Sequence, residues 1–362
     1  MTTAVAPNTT LTQHAELYRS AVGGRTEWLL LKLTDADGVT GWGECSDAGP
    51  LPAVLRALDN GDADPFTCRT VRGAIRQAQA DQAARRAGQP LWQWLGGREL
   101  PGPVPLTALL DRAARAGADH RAPATAARAA AQAVEAGFRS LRFAPFDSAG
   151  GDRLAHLGLA RVAAVQAAAA GAAELLVDCH RRLPLRELTG LLEPFARLGV
   201  ARLEDGVRAD RPAELAELRR RTAIPLAVRR FTARPGELAA AAGLLDLVLT
   251  DVKHAGGPAA VLELAAGAAG PVPRVALRNP AGPVATLHSA HLAAVLPGAE
   301  PLEYAFGEVP WRASLLRAGE RVADGRLAIP AGPGLGDEPD PRHPSLVPVW
   351  RGLLADPCCA GS

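Results

Sequence analysis

From Pro103 onwards the chain repeats one pattern, a short apolar segment followed by a polar turn and an alanine-rich stretch with helical spacing. The pattern recurs about every 25 residues, the length of a strand and helix unit in a parallel barrel. The apolar segments read VPLTALL, SLRFAPF, AELLVDC, VARLEDG, PLAVRRF, LDLVLTD, RVALRNP and EPLEYAF. Eight such strands close a barrel, whereas a doubly wound open sheet normally has fewer strands and a glycine-rich phosphate loop. The sequence lacks such a loop and predicts an α/β chain built on a parallel barrel.

A different pattern precedes this repeat. Residues 25–44 alternate apolar and polar side chains around a DADG turn, which predicts a hairpin. Residues 49–95 have helical spacing and end at a pair of glycines. After Glu303 the sequence becomes rich in proline and glycine, and we expect this segment to pack on the N-terminal region. We therefore place a capping domain at residues 1–102, completed by 304–362, and the barrel at 103–303.

Composition excludes several classes of protein. The 362 residues are 48% hydrophobic, enough for one large core and a second smaller domain. No apolar run approaches the roughly 20 residues of a membrane span, and the first residues lack the order of a secretory signal. We expect a cytoplasmic protein with no membrane partner. The net charge of +2 is spread along the chain, which argues against nucleic acid as a partner. The five cysteines, among them Cys358 and Cys359 in the tail, are irregularly spaced and indicate neither a disulfide framework nor a zinc site.

Acidic residues end three of the predicted strands. Asp178, Glu204 and Asp251 each follow an apolar run. Because the carboxyl ends of the strands in a parallel barrel meet at one mouth, these acids are expected to converge around a cation or a substrate. Another strand ends instead in Arg229 and Arg230. Neighbours on a strand face opposite ways, so only one of the two points inward, and we choose Arg230.

Five segments give the chain a resemblance to a known family. They read GWGE at 41–44, PLWQWLGG at 90–97, DVKHAGG at 251–257, NPAGPVATLHSAHLAAVLP at 279–297 and DGRLAIPAGPGLG at 324–336. Each is weak alone, but their order along nearly the whole chain resembles the mandelate racemase and muconate lactonising branch of the enolase superfamily. The resemblance implies a (β/α)7β TIM-type barrel with an α+β capping domain built from both termini. It also implies Mg2+, a small-molecule carboxylate substrate that loses the proton α to the carboxylate, and a homo-oligomer.

Three positions depart from the pattern that the resemblance implies. Asp178 and Glu204 match the first two Mg2+ ligands, but the place of the third, near residues 227–230, reads AVRR. Arg142 stands where the family often has a catalytic lysine, and a guanidinium does not deprotonate in proteins. Arg142 is therefore expected to hold an anion. Arg278 stands where the racemase branch often has a histidine, so Mg2+ and a histidine base are both questionable here.

One interpretation is that arginines have replaced part of the Mg2+ site. Arg142, Arg230 and Arg278 would then supply the positive charge, since a fixed guanidinium can bind a carboxylate and stabilise an oxyanion. Asp178, Glu204 and Asp251 would position these arginines or act as acid and base. The expected reaction is dehydration or epimerisation of a small hydroxy or imino acid.

Two residues are candidates for the base in this interpretation. Lys253 follows Asp251 by two positions and is one of only two lysines in the chain. His180 follows Asp178 by two positions. For substrate binding we add Asn279 to Arg230, together with Arg19, which lies in a segment at 15–24 that resembles the substrate-covering loop of the family.

The other interpretation is a catalytically degenerate family member that acts as a binding or scaffold protein. Loss of a ligand, a lysine and a histidine is what relaxed selection on chemistry would also produce. Structural roles are open for single residues too. Glu204 could be a solvated strand end paired with Arg202 or Arg208, His180 could be a hydrogen-bonded loop residue, and His288 could be a packing residue.

Overall fold

The computed structural model describes residues 13–23, 26–114, 122–146, 153–230, 243–267 and 274–354. The strands are β1 (Gln13–Gly23), β2 (Thr26–Thr34), β3 (Thr40–Glu44), β4 (Val104–Leu109), β5 (Ser140–Phe143), β6 (Glu174–Asp178), β7 (Val200–Glu204), β8 (Leu226–Arg229), β9 (Leu247–Thr250), β10 (Arg274–Leu277), β11 (Leu302–Tyr304), β12 (Val322–Ala323), β13 (Arg326–Leu327) and β14 (Leu346–Leu354). The α-helices are α1 (Leu51–Asn60), α2 (Pro65–Arg86), α3 (Leu91–Trp94), α4 (Leu110–Ala114), α5 (Pro123–Glu135), α6 (Leu154–Ala169), α7 (Leu185–Arg197), α8 (Pro212–Arg221), α9 (Val252–Ala255), α10 (Pro258–Gly267) and α11 (Pro283–Ala293). In these stretches no helix combines the length and apolar character needed to cross a bilayer. Cys358 and Cys359 lie outside the described residues.

Strands from both ends of the chain form the capping sheet. Its order is β14-β1-β2-β3, and every neighbouring pair is antiparallel. β2 and β3 are the predicted hairpin, and Asp35 stabilises its turn by accepting hydrogen bonds from the backbone N–H groups of Asp37 and Val39, both at 2.9 Å. The leucines of β1 and β2 pack against buried residues of α1 and α2. The sheet and these helices form the α+β cap.

The predicted substrate-covering loop at residues 15–24 is wrong for residues 15–23. These residues belong to β1, which pairs with β2 on one side and β14 on the other. Ala15 and Leu17 are buried between more exposed neighbours, which is the alternation of a strand. Two glycines at the end of the segment favoured a loop, but Gly23 is the last residue of the strand.

The eight predicted barrel strands are confirmed as β4 to β11, and each observed strand lies inside its predicted segment. Parallel pairing runs in the order β10-β9-β8-β7-β6-β5-β4-β11. Side chains join β10 to β11, because the backbone N–H of Asn279 donates to Glu303 Oε2 at 3.1 Å. The described residues thus form a barrel under an α+β cap, and the domain boundaries at 102/103 and 303/304 stay a prediction.

The pleat of the strands decides which side chains reach the barrel interior. Ala227, Leu247, Leu249 and Ala276 form a small buried cluster of their own, separate from the large core. In several barrel strands, the residues that alternate with the inward-facing ones belong to the large core. They pack there against the barrel helices. Positions two residues beyond the inner cluster therefore also point inward, at the carboxyl ends of the strands. Those positions carry charged side chains.

The GWGE segment connects the cap to the barrel. A Cβ at Gly41 or Gly43 would stand 2.1 Å or 2.0 Å from a backbone oxygen of α2, so only glycine permits this close approach. Glu44 reaches the N-terminus of α11, where its carboxylate accepts hydrogen bonds from the N–H groups of Gly282 at 2.7 Å and Ala285 at 2.8 Å. A carboxylate of the cap thus caps a buried barrel helix.

Candidate active site

One charged side chain lies at the carboxyl end of each barrel strand, and together they form what we call the charged ring. Its members, in strand order from β4 to β11, are Asp111, Arg142, Asp178, Glu204, Arg229, Asp251, Arg278 and Glu303. Five are acids and three are arginines. Several of these charged side chains are almost completely buried. Burying a charge is costly unless an oppositely charged partner is close, so these side chains need partners within the ring.

Arg142 binds the acids of three other strands. Its guanidinium contacts Asp178, and its Nε donates to Glu204 Oε2 at 2.7 Å and lies 3.2 Å from Glu303 Oε1. Burial alone would lower the pKa of Arg142, but the charges of Asp178 and Glu303 outweigh burial and raise the pKa well above its usual value. Arg142 is therefore a fixed cation and not a base, as its residue type predicts.

The two acids predicted as Mg2+ ligands already have cationic partners. Arg202 donates to Glu204 Oε1 through Nε at 3.0 Å and Nη2 at 2.7 Å. Burial raises the pKa of Glu204, but Arg142 and Arg202 reverse that effect and leave the pKa below its usual value. Arg202 is the partner considered for Glu204 from the sequence, but the carboxylate is buried and not solvated. Asp178 likewise has a lowered pKa, because Arg142, His180 and Arg229 outweigh burial.

Arg229, and not Arg230, points into the barrel, so the choice of Arg230 is corrected. The guanidinium of Arg229 lies 3.3 Å from Asp178 and 3.1 Å from Asp205. The reason is the pleat: Arg229 is two residues after Ala227, which belongs to the inner cluster. Arg230 follows the end of β8, and its charge acts on Asp210 outside the ring. Its role in substrate binding stays a prediction.

The donor set of the ring does not fit a divalent ion. Mg2+ needs several oxygen ligands with free lone pairs in near-octahedral geometry. Among the described residues no group of three or more histidine, cysteine or acidic side chains is arranged to hold a metal. The guanidinium of Arg142 lies between Asp178 and Glu204, and Arg229 stands on the strand of the expected third ligand. The third carboxylate that the resemblance implies is absent from the described end of this strand, residues 226–230.

His180 forms a pair with Asp178 at the edge of the ring. Its Nε2 lies 2.7 Å from Asp178 Oδ2, and its backbone N–H donates to Asp178 Oδ1 at 2.7 Å. His180 and Arg181 both have left-handed backbone conformations, with φ of 47° and 55°. Such strain persists where the surroundings hold it and often marks functional positions. The imidazole side chain is 32% exposed, so one edge of the imidazole is accessible to solvent.

The exposed edge of His180 faces an open cavity of about 510 Å³. The described residues that line the cavity are His180, Arg181, Arg182, Arg208 and Arg229. All are basic. The structure therefore brings one of the two predicted base candidates to a cavity suited to anions.

Lys253, the other base candidate, lies between the barrel and the cap. Its ammonium is fully buried and donates to both oxygens of Asp251, at 3.1 Å and 2.8 Å. Asp251 also accepts the backbone N–H of Lys253 and so caps α9. A Cβ on Gly73 of α2 would stand 2.2 Å from the carbonyl oxygen of Lys253, which shows how tightly α9 packs on the cap. From this position, the ion pair of Lys253 and Asp251 stabilises the contact between cap and barrel. It gives no support to Lys253 as the base.

The remaining predicted residues divide between the ring and other places. Arg278 is a ring member with 9% exposure, and its Nε has no hydrogen-bond partner within the described stretches. Asn279 is buried and donates to Thr286 at 2.6 Å, so it joins β10 to α11. Arg19 is on the cap sheet, pairs with Glu27 at 2.5 Å and lines a separate surface cleft, so its predicted contact with the substrate is not supported.

Sequence reasoning missed some members of the site. Glu303 lies within the eighth predicted strand, between Leu302 and Tyr304, and an acid inside this apolar run was a usable signal. Asp205 was not recognised as a partner of Arg229 because it adopts a left-handed conformation, with φ of 48°, that turns it back to β8.

Comparisons with known proteins agree with this architecture. Residues 125–343 match the family model described as Enolase C-terminal domain-like. A D-galactonate dehydratase of Verminephrobacter eiseniae is 26% identical over 297 residues, covering 73% of this chain and 75% of that protein. A D-galactonate dehydratase of Ralstonia nicotianae is 28% identical over 362 residues, covering 90% and 93%. The solved structure of a mandelate racemase/muconate lactonizing enzyme from Sulfitobacter sp. has a TM-score of 0.78 at 23% identity, covering 92% and 94%.

Proposed function

Because this chain belongs to the enolase superfamily, in its mandelate racemase and muconate lactonising branch, we propose that it is a lyase or isomerase acting on a small carboxylic acid. The reaction begins with removal of the proton α to the carboxylate. The observation that carries this proposal is the pair of His180 and Asp178, 2.7 Å apart, on a cavity lined by basic residues. The D-galactonate dehydratases among its relatives support a polyhydroxy acid as the substrate class.

Arginines hold the acid and stabilise the charge that develops on it. Arg229 lines the cavity and contacts Asp178, so a carboxylate bound to it lies next to the His180 pair. A guanidinium can bind a carboxylate through two parallel hydrogen bonds and keeps its charge throughout the reaction. The same group stabilises the enediolate oxygens when the α-proton leaves.

His180 is the base in this proposal. Since Nε2 faces Asp178, the lone pair of the neutral ring is on Nδ1, and Asp178 stabilises the imidazolium that forms. Nδ1 takes the α-proton, and the electrons of the C–H bond pass into the enediolate. The imidazolium then returns the proton to the leaving β-hydroxyl, so that water departs and His180 is neutral again. A single residue that acts as base and then as acid favours dehydration over epimerisation, which needs a proton donor on the opposite face.

A second candidate function is binding without catalysis. Its specific support is the state of the ring, where arginines neutralise the acids at both positions of the predicted Mg2+ ligands. A member of the family that had lost its chemistry could keep such a ring for stability. The cavity would then bind an anion, and His180 would be a loop residue paired with Asp178.

Solvent deuterium exchange distinguishes the two functions. The protein is incubated in D2O and EDTA with a panel of polyhydroxy acids that includes D-galactonate, and exchange and loss of water are followed by NMR. We expect exchange with some member of the panel, and a fall of about 100-fold or more in His180→Gln. His156→Gln, an exposed histidine on α6, is the matched control and should behave as the wild type.

Three results would contradict the proposal. Absence of exchange across the panel would favour the binding function. Equal exchange in His180→Gln and the wild type would remove His180 as the base. Exchange that appears only when Mg2+ replaces EDTA would assign the stabilisation of the enediolate to a metal ion and not to arginine.

A further inference from the structure

The cavity beside His180 has more positive charge than one carboxylate needs. Each of the five described residues that line it is basic. A volume of about 510 Å³ also exceeds what a short hydroxy acid fills, since pockets of several hundred Å³ suit ligands of drug size. The ligand is therefore expected to be extended and to carry more than one anionic group.

Arg229 of the charged ring lines the cavity, and Arg278, another ring member, stands two strands further along the barrel. Arg278 lies close enough to Arg229 to lower its pKa, an effect that adds to burial. The Nε atoms of both residues are buried without a hydrogen-bond partner in the part of the chain that the structure describes. Arg278 is only 9% exposed, and its charge is among those that lower the pKa of Asp251, the neighbouring acid of the ring. Buried donors without partners are costly, so an anionic ligand between these arginines would stabilise both.

The outer end of the cavity has its own free arginines. Arg181 and Arg182 line it from the loop after β6, and neither side chain has an acidic partner among the described residues. Hydrogen bonds from the backbone N–H of Arg181 to Asp205 and of Arg182 to Cys179 fix this loop, at 2.8 Å and 2.9 Å. Arg208 differs, because Asp210 binds it through two hydrogen bonds. The free positive charge at this end is therefore on Arg181 and Arg182.

We propose that the substrate is a dianion, with its α-carboxylate between Arg229 and Arg278 and a second anionic group at Arg181 and Arg182. This inference rests on the proposed function, because it takes the reacting carboxylate to be the one beside His180. The second group is a carboxylate or a phosphate monoester, since guanidinium groups recognise both. The protein would thus select sugar diacids or phosphorylated sugar acids over the corresponding monoacids.

Calorimetric titration with matched ligands tests this selection. D-Galactonate is compared with galactarate, which has the same carbon chain and a carboxylate at both ends, and gluconate with 6-phosphogluconate. We expect at least one dianion to bind roughly tenfold or more tightly than its monoanion at low salt, with the difference shrinking as salt rises. Comparing the gain in affinity for galactarate with that for 6-phosphogluconate shows whether a carboxylate or a phosphate binds more tightly as the second group.

A double variant assigns the selection to the outer arginines. In Arg181→Gln with Arg182→Gln, the ratio of the monoanion and dianion dissociation constants should fall close to one. The control, Arg56→Gln with Arg98→Gln, removes two exposed arginines outside the barrel and should keep the wild-type ratio. Equal unfolding midpoints for all three proteins show that folding is intact.

The outcomes separate this inference from the proposed function. A wild type that binds monoanions as tightly as dianions, or binds no dianion, would overturn the inference, as would an unchanged ratio in the double variant. Selective binding of a dianion without deuterium exchange would support the inference and contradict the proposed catalysis. Equally fast deuterium exchange with monoacids and diacids, together with equal affinities for the two, would support the proposed catalysis and contradict the inference.

Discussion

At the scale of single residues, the main feature is a guanidinium between acids. Without it, these acids could bind a metal cation. Arg142 contacts Asp178, Glu204 and Glu303, which lie on three different strands. Its planar donors match carboxylates directionally, whereas Mg2+ needs an octahedral set of oxygens. The side chain therefore supplies the charge balance of the barrel mouth, at the cost of the space that an ion would need.

Removing this guanidinium should leave the buried carboxylates without a positive charge, so that an added cation stabilises the folded protein. We expect Arg142→Ala to lose about 3–5 kcal/mol of unfolding free energy, because buried carboxylates are left without a partner. Added Mg2+ should raise the melting temperature of Arg142→Ala more than that of the wild type, since an ion that binds only the folded state stabilises it. Calorimetric melting with Mg2+, or with KCl at equal ionic strength, measures the difference. An equal rise in the wild type would show that Mg2+ acts elsewhere, and Arg142→Lys should respond less than the alanine variant because it keeps the charge.

Residue type could be predicted from the sequence here, but partners and orientation could not. Asp178 and Glu204 were recognisable because each ends an apolar strand of a repeating unit, and Arg142 because it stands where the resemblance implies a lysine. The choice between Arg229 and Arg230 depends on where the pleat of a four-residue strand begins, and an error of one residue reverses it. Lys253 was attractive by type, yet its ion pair with Asp251 depends on how α9 packs against the cap, a contact distant in sequence.

At the scale of elements, β3 and α2 approach so closely that glycine is required between them. Gly43→Ala would place its Cβ 2.0 Å from the carbonyl oxygen of Ala74, a backbone atom that cannot move without shifting α2. We expect a loss of at least about 3 kcal/mol, at the upper end for overpacked cores. Urea unfolding measures this loss.

The control for this substitution is a glycine with free space. Gly190→Ala lies in α7, where a Cβ would meet nothing within 4 Å, and it should raise stability by up to about 1 kcal/mol. If Gly43→Ala lost no stability relative to Gly190→Ala, the contact of β3 with α2 would not be what requires glycine at position 43.

Elements were the most predictable level of this molecule. All eight barrel strands follow from their apolar runs, because a strand buried on both faces has a continuous signal. β1 was missed as a strand because two glycines at 23–24 pointed to a loop, although its partner β2 follows directly in the chain. Its other partner, β14, comes from the far end of the chain, and a local pattern cannot show such a partner.

At the scale of the whole molecule, cap and barrel share a buried polar interface. His288 of α11 donates through Nε2 to the carbonyl oxygen of Trp42 at 2.8 Å, and His291 accepts the backbone N–H of Trp92 at 3.1 Å. Burial lowers the pKa of His288 from 6.5 to about 3 and that of His291 to about 4. Both imidazoles are therefore neutral in the folded protein at neutral pH.

This interface should make stability depend on pH above the range in which Asp178 and Glu204 titrate, because the pKa values of both carboxylates are lowered. A folded pKa below the unfolded value means that the unfolded chain binds more protons, so the contribution is complete above pH 6.5 and falls as pH decreases toward the folded pKa. At pH 5, each histidine costs about 2 kcal/mol relative to pH 7.5, because 1.5 units below 6.5 at 1.36 kcal/mol per unit are lost. The raised pKa values of Glu44 and Asp81, caused by burial, offset part of this loss.

A variant isolates the histidine contribution from that of these acids. His288→Gln keeps an N–H donor for Trp42 but does not titrate, so its loss of stability between pH 7.5 and 5 should be smaller than that of the wild type by about 2 kcal/mol. Urea unfolding at the two pH values measures both losses, and exposed His156→Gln should match the wild type. Equal losses in His288→Gln and the wild type would mean that His288 does not hold its neutral form in the folded state.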